Sequence, residues 1–249
     1  TTSYLANAYT ERIQGDRANN VERAIDFFHA ALQIITRDVM PGPWARTMSN
    51  LANAYNKRIE GDRANNLEQS IAAYQEALQI ITRDTAPFEW AKILMNLSNA
   101  YCSRIKGNQA DNLEQAIAIC NDAFQVINRE DMSLHWAQNM MNLANAYTNR
   151  IQGDRGENIE EAITAYNNAL QVITREAMPI DWATIKNNLG IAYSEHIHGD
   201  RAHNLEQAIS AYKDALNVRN EVALPIDWAI TMNNLANAYQ NRIRGDRAD

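Results

Sequence analysis

A five-residue block that ends in tyrosine, LANAY in its commonest form, recurs along the chain every 46 residues. Each of the five tryptophans lies seven residues before the leucine of a block. The six leucines are Leu5, Leu51, Leu97, Leu143, Leu189 and Leu235. A constant period over the whole chain is typical of a solenoid of stacked units, so we expect a single solenoid over residues 1–249.

The first half of each unit predicts a helix, called helix A. Trp44, Leu51 and Tyr55 follow the i, i+7, i+11 spacing that places large side chains on one side of a helix. A proline suits its first turn, where a missing N–H has no partner, and repeat three has Ser133 instead. A glycine able to adopt the left-handed conformation is expected to end it. The prolines are Pro41, Pro87, Pro179 and Pro225, and the glycines are Gly15, Gly61, Gly107, Gly153, Gly199 and Gly245.

The second half of each unit predicts helix B. An asparagine with Gln or Glu three residues later precedes its apolar run, which predicts an N-cap with its N3 partner. These pairs are Asn66 with Gln69, Asn112 with Gln115, Asn158 with Glu161 and Asn204 with Gln207. We expect six A helices and five B helices. Because the chain begins inside a helix A and stops before a helix B, we expect it to be an excerpt of a longer array.

The two-helix unit resembles the tetratricopeptide repeat, which places Leu-Gly and Tyr on its first helix and Ala, an aromatic residue and Ala on its second. The matching residues in repeat five are Leu189, Gly190, Tyr193, Ala208, Tyr212 and Ala215. The period of 46 residues exceeds the usual period of about 34, so the resemblance is to an extended variant, as in long bacterial arrays. It implies an all-α fold, a right-handed α-solenoid of antiparallel helix pairs whose A helices line a concave groove.

The composition argues against several classes of protein. Nine glycines and five prolines are too few for an all-β chain with many tight turns. A formal net charge of −7 lacks the basic excess of a nucleic-acid-binding surface, and no stretch approaches the roughly 18 apolar residues of a membrane span. The sequence has no GxxxxGK[ST], HExxH or GxSxG motif, so we expect neither an enzyme nor a cofactor. With only Cys102 and Cys120, a reducing, cytoplasmic setting is expected.

Two other polar patterns have structural interpretations. His196, His198 and His203 could bind zinc, but each replaces a residue that is polar elsewhere, and no fourth ligand is spaced to complete a tetrahedron. We interpret them as exposed loop residues and expect no metal site. The recurring Gly-Asp-Arg loop, for example Asp62 and Arg63, is interpreted as a local or inter-repeat ion pair that involves Arg58.

Two asparagines recur on the A helices and are the strongest candidates for a functional site. They are i and i+3 on one stripe, offset from the Trp, Leu and Tyr side. Asparagine inside a helix costs about 0.5–0.7 kcal/mol relative to alanine, and its amide suits the N–H and C=O groups of an extended peptide. The predicted peptide-binding set, called the asparagine ladder, is Asn50, Asn53, Asn96, Asn99, Asn142, Asn145, Asn188, Asn234 and Asn237. Repeat five has Ile191 at the second position.

Positive charge on the same stripe is confined to Arg46 and Lys92. Chaperone-binding members of the resembled family combine such asparagines with several Lys and Arg to hold an acidic C-terminus. Ser49 and Met95 stand where one of those lysines would be. We therefore expect recognition through the peptide backbone, with Arg46 and Lys92 favouring an acidic residue.

Two structural interpretations compete with peptide binding. In the first, the amides bond only between adjacent A helices; in the second, the repetition records recent duplication. We expect a protein-interaction module that binds an extended peptide or partner segment in the groove. The alternative is a structural spacer or a self-associating regulatory scaffold of a larger multidomain protein.

Overall fold

The computed structural model describes residues 6, 8–10 and 16–242, and all the regular secondary structure in these ranges is helical. Ten helices have defined bounds: α1 Arg17–Leu32, α2 Pro41–Lys57, α3 Arg63–Leu78, α4 Pro87–Cys102, α5 Gln109–Ala123, α6 Ser133–Asn149, α7 Arg155–Leu170, α8 Pro179–Glu195, α9 Arg201–Leu216 and α10 Pro225–Gln240. Even numbers are A helices and odd numbers are B helices. The first expected helix A is described only at residues 6 and 8–10. Gly15 and Gly245 lie outside the described residues.

The helices pack in successive pairs within two compact units, residues 1–127 and 128–249. In the first unit, α2 packs on α3 and α4 on α5, while α1 contacts α2 and α3 contacts α4. In the second unit, α6 packs on α7 and α8 on α9, while α7 contacts α8 and α9 contacts α10. The predicted all-α, solenoid-type packing of helix pairs is confirmed. The extent of one solenoid over residues 1–249 stays a prediction.

The A helices begin where the sequence predicts. A proline occupies the first position of α2, α4, α8 and α10, and Ser133 begins α6. The predicted left-handed glycines are present, with φ of 76°, 82°, 79° and 76° at Gly61, Gly107, Gly153 and Gly199. Each A helix nevertheless ends four or five residues before its glycine, α2 at Lys57 for example. The glycine therefore reverses the connecting loop and does not end the helix, because Arg58 already has an extended conformation.

The B helices begin four residues earlier than predicted. Asp62 caps α3, and its carboxylate accepts a hydrogen bond from the Asn65 N–H at 2.8 Å. The predicted cap, Asn66, is buried in the helix, and its amide donates to the Glu60 carbonyl oxygen at 2.8 Å. The prediction of asparagine caps is therefore wrong, since these asparagines hold the preceding loop. It is equally wrong for Asn112, Asn158 and Asn204, whose helices are capped by Asn108, Asp154 and Asp200.

A bidentate ion pair joins successive repeats beside these loops. Arg58 donates from Nε and Nη2 to the two carboxylate oxygens of Glu22, both at 2.7 Å. The inter-repeat ion pair expected at the Gly-Asp-Arg loop is thus made with Glu22, whereas Asp62 is a helix cap. Equivalent pairs join Arg104 to Glu68 and Arg242 to Glu206.

The core of each unit combines small alanines with a few large side chains. Tyr74 and Tyr166 are almost fully buried, as the helical spacing requires. Four of the five tryptophans pack, partly buried, against the core clusters. They are Trp44 and Trp90 in the first unit and Trp136 and Trp182 in the second. Cys120 takes the place of the tyrosine in repeat three and is fully buried.

Candidate functional site

A cleft of about 220 Å³ lies between α2 and α4 in the first unit. It brings together five of the predicted peptide-binding residues, namely Arg46, Asn50, Asn53, Lys92 and Asn96. The helical periodicity explains this arrangement, because residues four and seven apart lie on one face of a helix. The remaining lining residues are Ser49, Ile81, Glu89 and Ile93. Ile81 and Ile93 are buried and form its apolar floor.

The two cations of the cleft differ in their partners. Arg46 donates from Nε to both carboxylate oxygens of Glu89 at 2.9 Å. The exposed Lys92 ammonium lies 5.6 Å from the centroid of the Phe88 ring and forms no ion pair with any described residue. Lys92 therefore offers the cleft a positive charge that an acidic ligand could use.

Asparagine amides join the two A helices across the cleft. The Asn53 carbonyl oxygen accepts one hydrogen bond from the Tyr74 hydroxyl at 2.5 Å and another from the Asn96 amide at 3.1 Å. Such a bond contributes about 0.5–1.5 kcal/mol, enough to offset the cost of asparagine in a helix. The second unit repeats this arrangement with Asn145, Tyr166 and Asn188, at 2.6 and 3.1 Å.

The other members of the asparagine ladder differ in their exposure and surroundings. Asn50 is partly buried in the cleft, and its amide has no hydrogen bond to a described residue. Asn99 is exposed, because the tyrosine that would reach it is replaced by Cys120. Asn142 is partly buried. Asn234 and Asn237 line a second cleft of about 190 Å³ in the second unit, together with Ile191 and Tyr212. Peptide binding by these residues stays a prediction.

Asn187 accepts hydrogen bonds that the sequence did not predict. Where Ile191 cannot accept, the Asn234 amide donates to the Asn187 carbonyl oxygen at 3.2 Å. The Thr231 hydroxyl donates to the same oxygen at 3.2 Å. Repeat five has Ile191 where other repeats have the acceptor asparagine, so Asn234 required another hydrogen-bond partner. This replacement was the signal available in the sequence.

A second group missed from the sequence is Glu160, which meets two of the three histidines. Its Oε1 lies 3.3 Å from His196 Nε2 and 2.9 Å from His198 Nδ1. The side chain of His196 is only 16% exposed, so its interpretation as an exposed loop residue is wrong. His203 is exposed, as expected. The spacing in the sequence was the available signal. Glu160 precedes His196 by 36 residues, and Glu22 precedes its ion-pair partner Arg58 by the same number.

The thiols have no features of nucleophiles. Burial raises the pKa of Cys102 to about 12 and that of Cys120 to about 11, which keeps both protonated at neutral pH. Burial likewise raises the pKa of Tyr74, so its hydroxyl stays a hydrogen-bond donor. Within the described residues, no helix is both long and apolar enough to cross a membrane.

Comparison with known proteins agrees with this geometry. The fold places the chain in the class of all-helical repeat proteins of the α-solenoid type. Residues 44–84 and 90–126 match the family model for the tetratricopeptide repeat. These matches support the tetratricopeptide repeat family that the sequence predicts. Assignment of the chain to an extended 46-residue variant stays a prediction.

Among solved structures, 29 chains match. One is the crystal structure of BtubC (BKLC) from P. vanneervenii, which is 19% identical to this chain, with a TM-score of 0.59. The match covers 90% of this chain and 82% of that one, and at this identity it shows the fold alone. A comparison with curated proteins gave no significant match. Tetratricopeptide repeats generally mediate protein–protein interaction or scaffolding and are typically non-catalytic.

Proposed function

We propose that the protein is an interaction module that binds an extended peptide segment of a partner protein on its A-helix surface. The cleft between α2 and α4 is the principal contact. One observation carries the proposal: inside this cleft, Asn50 and Lys92 have polar groups with no hydrogen-bond or ion-pair partner among the described residues. Polar groups placed in a concave site without an internal partner are suited to orienting a ligand.

Recognition in this proposal uses the backbone of the peptide and one acidic group. Asn50 supplies a donor and an acceptor. Asn53 Oδ1 and Asn96 Nδ2 are already bonded to each other, so the ligand uses Asn53 Nδ2 and Asn96 Oδ1, which have no described partner. Lys92 pairs with a carboxylate, while the Arg46–Glu89 pair borders the cleft. In the second unit, Asn145 Nδ2 is the atom that corresponds to Asn53 Nδ2, whereas Asn188 Oδ1 already accepts a hydrogen bond from the Asn187 amide at 3.1 Å.

The test is a selection of the whole chain against a peptide library, with binding of the enriched peptides measured by fluorescence polarisation. We expect enriched peptides to carry an acidic residue and to bind an Asn50→Ala, Lys92→Ala variant at least about tenfold more weakly. The melting temperature of this variant should stay close to that of the parent, since neither side chain has a described polar partner. Lys106→Ala is the matched control, because it removes a lysine of the same unit that does not line the cleft.

No enrichment, or enrichment indifferent to Asn50 and Lys92, would favour the second candidate, a structural spacer or self-associating scaffold. One observation supports that role: the bonds from Asn53 to Asn96 and from Asn145 to Asn188 tie adjacent A helices without any ligand. Sedimentation velocity over a range of concentrations separates its two forms. A scaffold would grow in size with concentration, and a spacer would remain a monomer.

A further inference from the structure

Three side chains able to bind a metal ion converge in the second unit. Glu160 projects from α7, and His196 and His198 lie in the turn between α8 and α9. One potential ligand atom from each lies within 4.8 Å of those from the other two. Two imidazoles and one carboxylate form a ligand set that suits zinc and related divalent transition metals.

Three substitutions, each unique among the repeats of this sequence, build the cluster. His196 stands where every other repeat has arginine, and Arg58 shows the usual role of that position in its ion pair with Glu22. His198 occupies the position held by Gln, Glu, Lys or Arg elsewhere. Gly156 replaces an alanine present in all the other repeats, and a Cβ at this position would lie 2.2–2.7 Å from ring atoms of His198. The His198 ring therefore fits against α7 only because Gly156 has no Cβ.

The geometry is close to that of a coordination sphere. Zinc bonds of about 2.0–2.2 Å in a tetrahedron place neighbouring ligand atoms about 3.3 Å apart. The distances from Glu160 Oε1 to His196 Nε2 and His198 Nδ1 are 3.3 and 2.9 Å. His196 Nδ1 is buried with no described hydrogen-bond partner, and Nε2 is the nitrogen that faces Glu160. His198 Nε2, the other ring nitrogen, lies 3.8 Å from Asp154 Oδ1, which is beyond hydrogen-bond distance.

We propose that Glu160, His196 and His198 form a binding site for a divalent transition metal ion, best matched by Zn²⁺, with water in the fourth position. The ion joins α7 to the turn after α8, where three other repeats use an arginine–glutamate ion pair. This site is independent of the peptide-binding cleft, which belongs to the first unit. Its role is to fasten successive repeats by coordination.

Isothermal titration calorimetry of the EDTA-treated whole chain with ZnCl₂ tests the site. We expect one Zn²⁺ per chain. The double variant His196→Arg, His198→Gln restores residues used in other repeats, so it should fold, with the introduced guanidinium pairing to Glu160, and bind at least 100-fold more weakly. Gly156→Ala leaves all three ligands intact but fills the space of the His198 ring, and it should weaken binding at least tenfold. His203→Ala is the matched control and should bind as the parent does.

Thermal unfolding gives an independent readout, because a ligand that binds only the folded state raises the melting temperature. Saturating Zn²⁺ should raise the melting temperature of the parent and of His203→Ala, and leave that of the double variant unchanged. The proposal is overturned by absence of Zn²⁺ binding to the parent, by binding that survives in the double variant, or by an equal loss in His203→Ala.

Discussion

At the scale of single residues, the tyrosine of helix B gives the ladder asparagine its structural role. Tyr74 and Tyr166 each donate to the carbonyl oxygen of an asparagine on the paired A helix. In repeat three, Cys120 instead contacts the Ser98 hydroxyl at 2.9 Å, and Asn99 is left exposed. The asparagine is therefore stabilising where a tyrosine donates to it. Asn99 has no tyrosine opposite it, so no tyrosine hydrogen bond offsets the cost of an asparagine inside the helix.

We predict that Tyr74→Phe lowers the free energy of unfolding by about 1 kcal/mol, because it removes one hydrogen bond while keeping the buried ring. Urea denaturation followed by circular dichroism measures this loss. Tyr166→Phe should lose a similar amount. Tyr212→Phe is the matched control with a smaller loss, since its hydroxyl lies 3.5 Å from the Ser194 oxygen. Equal losses in all three variants would contradict the prediction.

At the scale of elements, two separate interactions hold the loops that follow α2 and α4. An aspartate or asparagine caps helix B, and an arginine pairs with a glutamate of the preceding repeat, as Asp62 and Arg58 do. Both interactions hold the loop in place, yet they respond differently to substitution and pH. The cap depends on an acceptor oxygen, whereas the ion pair depends on charge.

We predict that Asp62→Ala lowers the free energy of unfolding by about 1 kcal/mol, the usual value of an N-cap. Asp62→Asn should retain most of the stability, because Asn108 caps α5 through the same atom type. Chemical denaturation of the two variants decides between cap and charge. If Asp62→Asn lost as much as Asp62→Ala, the charge and not the cap would be the stabilising feature.

The ion pair predicts a pH dependence. Hydrogen bonds from Arg104 lower the pKa of Glu68, so its contribution is present above the unfolded pKa of about 4.3 and is lost as the pH falls through the folded pKa. Glu68→Gln should therefore cost about 1 kcal/mol at pH 7 and progressively less below about pH 4. Denaturation at pH 7 and pH 3 measures the change.

The exposed Glu130 provides the control for this prediction, because the structure gives its carboxylate no ion pair with a described residue. Glu130→Gln should have little effect at either pH. A cost of Glu68→Gln that stayed constant between pH 7 and pH 3 would rule out the charge of Glu68 as its source.

The sequence predicts the starts of the A helices better than those of the B helices. Pro41 and its equivalents act locally, so their meaning can be read from the chain alone. Asp62 and Asn66 are both good capping residues, and local preference does not separate them. The choice depends on Asn66 reaching the Glu60 carbonyl oxygen, a contact that exists only when the loop has folded.

In the candidate sites, too, features set by one helix were predictable from the sequence, and contacts between helices were not. Helical spacing predicted that Asn50 and Asn53 share a face of α2, and both line the cleft. The bond between Asn53 and Asn96 joins residues 43 apart, and it follows from helix packing that one helix does not encode. Glu160 was missed for the same reason, since its contact with His196 spans 36 residues.

At the scale of the whole molecule, contacts within each unit run between helices adjacent in sequence and between successive A helices. Stability in such an arrangement is approximately a sum over repeats and nearest-neighbour interfaces. We predict that Tyr74→Phe reduces amide hydrogen-exchange protection most in α2, α3 and α4. Hydrogen-exchange mass spectrometry measures this, with Tyr166→Phe as the reciprocal variant that acts on α6, α7 and α8. A uniform loss along the chain would indicate one cooperative unit instead.

The hydrogen bonds around Asn53 also divide the A-helix surface into constant and variable positions for protein engineering. Asn53, Tyr74 and Asn96 support one another, so a designed library should keep all three. Ser49, Asn50 and Lys92 line the same cleft without a described polar partner and can be randomised with little effect on folding. A scaffold built from this repeat could therefore be given new specificities while its packing is left unchanged.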